Sequence, residues 1–297
     1  MGRRLTILAV TVLVWLAVAG LFVLVVGGAR TEGAGGSALF GQRVAIVELE
    51  GIITDVDDIV RDLKSHRENP AVRAVVIRIN SPGGVVGPTQ ELHDAILRVR
   101  QAGKPVVASL GAVAASGGYY TAVACDQIYA NPGTLTGSIG VIMQLANVEQ
   151  LMKKVGVDYV VVKAGAYKDI GNVGRPMTSE ERRVLQSLLD DIHAQFIGAV
   201  AAGRKLDREQ VARFADGRVF SGTQAKELKM VDALGGLEDA VLAAGKLAGL
   251  PSPPSVIQPK RHFSIFDLLR NQFGGSAASA LLRPGLPAFK TPLYLMD

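Results

Sequence analysis

Three glycine-rich junctions each follow an apolar, β-like run, the position at which open α/β sheets usually place ligands. The first is Asn80-Ser81-Pro82-Gly83-Gly84. Adjacent glycines leave backbone N–H groups unobstructed by side chains, which an oxyanion hole requires, although the same string also makes an ordinary turn. The second junction, Gly111 to Tyr120, sets Ser116 between small residues at a strand-to-helix transition. Its hydroxyl would be accessible there, and the following N–H, that of Gly117, would point at developing negative charge with the helix dipole behind it. A plain helix N-cap is the competing role for such a serine. The third junction, Leu135-Thr136-Gly137-Ser138-Ile139-Gly140, is ambiguous by itself.

A nucleophilic serine needs a base. Of the four histidines, His66 lies in a charged stretch, His93 and His193 fall inside amphipathic helical patterns, and His262 follows a proline-rich break. None lies in a glycine-rich junction, so a Ser-His-Asp triad has little support. Lysine serves as a base only when neutral, which burial and the lack of a carboxylate partner favour. Lys168 follows the apolar run Tyr159–Val162 and could project from a strand end toward the other junctions. An exposed loop lysine is the alternative, and the adjacent Asp169 could pair with it and hold it charged.

The elements that position these residues alternate in type. Apolar β-rich runs (Val44–Leu49, Ala74–Ile79, Val106–Leu110) alternate with amphipathic ones (Val56–Lys64, Thr89–Arg100, Ala115–Ala124), the pattern of βα units around a largely parallel, buried sheet. Further strands are predicted at Gln127–Ala130, Gly140–Leu145 and Tyr159–Lys163. Thr178 with Glu181 makes a capping-box pattern, and Val184, Leu185, Leu188, Leu189, Ile192 and Phe196 recur at helical spacing, predicting a long helix that ends near Gly203. Helices are expected at Arg208–Phe214, Thr223–Lys229 and Leu237–Leu247, and an interrupted amphipathic one within His262–Leu282.

A chain of 297 residues, 48% hydrophobic, can bury a sizeable core. Its net charge of +5 is scattered over 32 Lys and Arg rather than clustered, which argues against nucleic-acid binding. The single cysteine, Cys125, excludes an internal disulfide and any multi-cysteine metal site. No charge interrupts Leu5 to Val26, a run of about 33 Å as a helix and enough to cross a bilayer. Arg3 and Arg4 before it favour a cytoplasmic N-terminus, with the rest of the chain on the far side of the membrane. A cleaved secretory signal ending at Ala17-Val18-Ala19 is the other reading, but the apolar run is longer than an ordinary signal core.

The strings Asn80 to Gly84, Ala114 to Tyr120, Thr134 to Ile142, Gly165 to Asp169 with Arg175-Pro176-Met177-Thr178, and Asp216 to Gly222 together resemble the signal peptide peptidase family of SppA type, over roughly Val44 to Leu247. The resemblance implies the α/β fold of Clp proteases and crotonases, with stacked ββα units, here behind an N-terminal transmembrane helix. It implies Ser116 as nucleophile, Lys168 as general base, Gly84 and Gly117 as oxyanion-hole donors and Ser138 as the residue orienting the lysine. It also implies remnant signal peptides as substrates, a homo-oligomer, and no metal or organic cofactor. The catalytic region occurs once, like a short form of the family, so Ser116 and Lys168 could meet within one chain or between subunits. The expected organisation is a signal anchor at 1–28, a flexible linker at 29–42, a serine peptidase domain at 43–250 and a C-terminal extension at 251–297. The rival readings are a crotonase-like acyl-CoA enzyme and a non-catalytic membrane scaffold.

Overall fold

The computed structural model describes residues 41–259 and 293–295. In chain order the elements are β1 (Arg43–Glu50), α1 (Asp57–Glu68), β2 (Val72–Ser81), β3 (Gly83–Val85), α2 (Val86–Gln101), β4 (Val106–Ala115), α3 (Gly117–Ala122), β5 (Gln127–Ala130), β6 (Leu135–Gly137), α4 (Glu149–Lys154), α5 (Ser179–Arg204), α6 (Arg208–Ala212), β7 (Val219–Ser221), α7 (Gly222–Glu227), β8 (Ala233–Leu234), α8 (Leu237–Leu247), β9 (Ser255–Ile257) and β10 (Leu293–Leu295). The main sheet runs β7-β6-β4-β2-β1-β9, with β5 beside β4 and β8 beside β5. Its pairs are parallel except β6 with β7.

The continuous apolar runs seen in the sequence are explained by burial on both faces of this sheet. Alternate residues Val44, Ile46, Ala74, Val76 and Val107 meet Ala240, Val241 and Ala244 of α8. Their neighbours Ala45, Val47, Val75, Ile77, Ile79 and Ala108 join the larger core, which includes Leu92, Ile96, Tyr119, Phe196 and Val200 from α2, α3 and α5. This is the expected α/β class, and it is consistent with the Clp protease and crotonase fold.

Strand β4 carries the architecture toward the site. Val107–Leu110 pairs with β5, whereas Val113–Ala115 pairs with β6, so one strand serves two successive neighbours on the same side. The predicted long helix is present as α5, and both capping-box bonds form: Glu181 N–H donates to Thr178 Oγ1 at 3.1 Å and Thr178 N–H to the Glu181 carboxylate at 2.9 Å. Gly203 near its end lies so close to α3 that an added Cβ would sit 2.1 Å from the Val123 carbonyl oxygen.

Two expected strands are absent. Neither 140–145 nor 159–163 forms one of the strands above. Tyr159, Val160 and Val162 are apolar enough for a strand, yet they stand 55%, 81% and 97% exposed. A strand needs a partner edge, and among the described residues none pairs with that segment. Among the described residues no helix is long and apolar enough to cross a membrane. The expected anchor at 5–26 and the helix within 262–282 lie outside the described residues.

Candidate active site

Parallel register between β4 and β6 builds the centre of the site. Ala115 pairs with Gly137, so Ser116 and Ser138, each the next residue, leave neighbouring strand ends side by side. Ser116 N–H donates to Gly137 O at 2.8 Å, and Ser138 N–H to Arg218 O at 2.8 Å. Both serines adopt a positive φ, 51° for Ser116 and 50° for Ser138, which β-carbon sterics disfavour. At Ser116 the paired ψ is −116°, a sparsely populated combination costing about 1–3 kcal/mol. The Ser116 side chain is fully buried, and its Oγ has no hydrogen-bond partner. It makes no side-chain cap on α3, so the N-cap role open to it in the sequence is not what holds it here.

The first junction meets the second at Gly117, the residue after this serine. A Cβ built on Gly117 would lie 3.2 Å from Gly84 N, 3.2 Å from Gly83 Cα and 2.9 Å from Thr89 Oγ1. A Cβ on Gly84 would lie 2.1 Å from Ile53 O, so that position accepts only glycine without displacement. Gly83 O and Val85 N–H are bonded to Ile53, at 2.9 and 2.7 Å. By strand alternation Gly84 directs its N–H and C=O to the opposite edge of β3. The backbone of β10 runs antiparallel along β3, with Tyr294 opposite Gly84. The buried Thr89 hydroxyl, bonded to Val85 O at 2.8 Å, packs beside Gly117. Thr89 was read in the sequence only as part of an amphipathic helix.

Lys168 forms no hydrogen bond with this cluster. It is exposed, in a turn closed by its N–H to Gly165 O at 3.2 Å, and it does not bond to Ser116 Oγ. Asp169 pairs elsewhere: its carboxylate accepts from Lys163 Nζ and, at 2.9 Å, from Arg175 Nε. Arg175 also forks onto Glu181, with Nη1 to Oε2 at 2.9 Å and Nη2 to Oε1. Those bonds hold Asp169 well below the usual carboxylate range and Glu181 down to about 2. The sequence signal for this clamp was Arg175 standing three residues ahead of the Thr178–Glu181 capping box. Of the described histidines, His93 stacks at 5.0 Å on Tyr120 with burial pushing its pKa down, and none reaches Ser116 Oγ. Among the described residues no cluster of His, Cys, Asp and Glu could hold a metal ion. Cys125 is buried, and burial drives its thiol pKa far up, as suits a packing residue.

A buried serine whose Oγ has no partner, at the end of a parallel strand and followed by a glycine packed against Gly84, defines a class of protein that does acyl chemistry through a serine. Residues 98–251 match peptidase family S49. A Synechocystis sp. protein bearing a protease name is 46% identical over 211 residues, covering 70% of this chain and 76% of that one. Protease 4 of Salmonella typhi is 35% identical over 219 residues, which are 71% of this chain and 35% of that protein. An Enterococcus faecium protein named as a signal peptide peptidase of SppA type is 37% identical over 179 residues, or 60% and 52% of the two chains. The chain thus spans only about a third to a half of the last two. The chain belongs to peptidase family S49, the SppA type, and is a serine protease. That membership removes the crotonase-like acyl-CoA enzyme as a rival.

Proposed function

We propose that this chain is a membrane-anchored endopeptidase in which Ser116 attacks the peptide carbonyl, Lys168 of a neighbouring copy is the general base, and the N–H groups of Gly84 and Gly117 hold the oxyanion. The observation carrying this reading is the strained, buried and unpartnered Ser116 hydroxyl beside those two glycines. The Lys168 amine accepts the Ser116 proton as Oγ bonds to the carbonyl carbon, and returns it to the leaving amine as the peptide C–N bond breaks. Water, deprotonated by the same amine, then releases the acyl group. Ser138, adjacent in register to Ser116, orients that amine.

Supply of the lysine by a second copy is supported by what surrounds it. Leu151, Val155, Val157, Tyr159, Val160 and Val162 form an arm that is at least half exposed at every one of these positions. A second copy of the chain covering this arm would bury that apolar surface and bring Lys168 to a partner's Ser116. The substrate is an extended apolar segment, such as a remnant signal peptide, which pairs with β3 as β10 does and delivers a carbonyl to Gly84. The apolar run Leu5–Val26 keeps the site beside such segments on the extracytoplasmic side of a membrane.

The test is complementation. Ser116→Ala and Lys168→Ala chains are each inactive alone; co-expressed at equal levels, they regain about a quarter of wild-type activity if each site draws on two copies, because half the copies retain each residue. Two inactive variants that stay inactive together, with mixed oligomers demonstrated by differential tags, would place both residues in one chain. Activity surviving in either single variant refutes the dyad itself.

A further inference from the structure

We infer that Arg175 is a positioning residue for the reaction: together with Lys163 it engages the Asp169 carboxylate and so leaves the neighbouring Lys168 amine free to act as base. The inference rests on the Ser116–Lys168 reading above.

Three carboxylates lie in the segment that presents Lys168, and all are committed elsewhere. Glu180 accepts the Tyr167 hydroxyl at 2.8 Å. Glu181, only 4% exposed, takes both edges of Arg175 and the Thr178 N–H. Asp169, with its side chain 11% exposed, takes Lys163 on Oδ1 and Arg175 Nε on Oδ2. The Lys163 ammonium is itself tied to Ala166 O at 2.9 Å, so the donor is fixed across the turn from Gly165 to Lys168. Arg175 suits this task because its planar guanidinium offers separate edges: one forks onto Glu181, anchored in the α5 cap, and Nε remains for Asp169. Besides these groups, the charge that acts on this segment from α5 is Arg183.

Consider the chain without Arg175. Asp169 keeps its charge at neutral pH, since the unperturbed carboxylate also ionises well below 7. Lys163 stays on Oδ1, but Oδ2 loses its donor, and the adjacent cation along the backbone is Lys168. A carboxylate within a few ångströms favours the ammonium over the free amine, and a protonated lysine cannot take the Ser116 proton. A clamp that served only to hold the loop would lower activity when cut but would leave the pH dependence where it was.

The experiment measures kcat/KM against pH for the full chain carrying Arg175→Met, Arg175→Met with Asp169→Asn, Lys163→Met, and Lys168→Ala. In Arg175→Met the rising limb moves to higher pH by about one unit, so activity measured below the limb falls about tenfold. Adding Asp169→Asn, which removes the liberated charge but not the side chain, returns the limb to its wild-type position. Should Arg175→Met fail to fold, Lys163→Met reports instead, because it strips one donor from Asp169 and spares the Arg175–Glu181 fork; its limb moves the same way. An unmoved limb in the variant that folds, or a moved limb that Asp169→Asn does not restore, overturns the inference. Lys168→Ala keeps the two ideas separable: activity in that variant refutes the Ser–Lys dyad, whereas its inactivity beside an unmoved Arg175→Met limb refutes only the positioning role.

Discussion

Replacing Ser116 should make this protein inactive and more stable at once. The wild-type side chain carries two costs in the folded state. Its hydroxyl is buried without a partner, which costs about 1–3 kcal/mol, and its backbone holds φ 51° with ψ −116°, another ~1–3 kcal/mol. Ser116→Ala removes the first cost and keeps the second; after the small loss of packing around Oγ, the expected gain is about 1 kcal/mol. Ser116→Gly removes both, but gives back about 0.4–1 kcal/mol through the freer unfolded chain and about 0.8 kcal/mol for the lost buried carbon. The glycine variant should therefore lie between about 1 kcal/mol below and about 2 kcal/mol above the alanine variant. For a unit of this size each kcal/mol is worth roughly 2–4 °C in Tm. Calorimetric melts at one fixed protein concentration read the shift, since assembly also contributes to Tm. A peptide-cleavage assay on the same samples should read background. If both variants melt more than about 3 °C below wild type, the hydroxyl is a structural partner and the strain argument fails. Near-normal turnover in either refutes the nucleophile.

Gly117→Ala places a Cβ 3.2 Å from Gly84 N and 2.9 Å from Thr89 Oγ1, forcing β3 and α3 apart by a few tenths of an ångström. Hydrolysis should fall by about 10²–10³, the usual cost of losing one oxyanion donor, with Ser116 still buried; wild-type kcat would contradict the assignment. In acid, Glu181 and Asp169 have folded pKa values below their ordinary 4.5 and 3.8, so the stability they contribute is complete above those values and is lost as pH falls toward about 2. Acid titration followed by circular dichroism should show Arg175→Met losing much less stability than wild type across that window; parallel titration curves would contradict the fork.

The sheet was legible because its strands are buried on both faces. β1, β2 and β4 each appear as an apolar run with one polar residue inside it, Glu48, Arg78 and Ser109 in turn, and α8 matches its predicted span, Leu237–Leu247, at both ends. Capping chemistry made α5 readable from Thr178 and Glu181 alone. The segment 159–163 misled for an equally physical reason. Its composition is that of a strand, but strandedness belongs to a pair of edges, and the second edge is not in the chain's own sheet. β3 and β10 were invisible because three residues, two of them glycine in β3, carry no periodicity.

The two halves of the candidate site differ in the same way. Short-range rules mark the junctions that hold Ser116, Gly84 and Gly117 but leave their roles open, and only the family resemblance singles out Ser138; the sheet then brings the junctions together: β4–β6 register for the serines, and the Gly84–Ile53 approach for β3. Two non-glycine residues with positive φ, each bonded through its N–H to a neighbouring strand or turn, can persist only where the surroundings over-determine them. Lys168 obeys none of those rules. It sits at the periphery, on a turn whose rigidity comes from the Lys163–Asp169–Arg175–Glu181 chain of charges rather than from the core. A rigid nucleophile and a separately braced base are what a site shared between copies requires, since each half must hold its shape before the other arrives. On that proposal the exposure of Val160 and Val162 is the exposure of an interface, and assembly is what turns two inert halves into a peptidase.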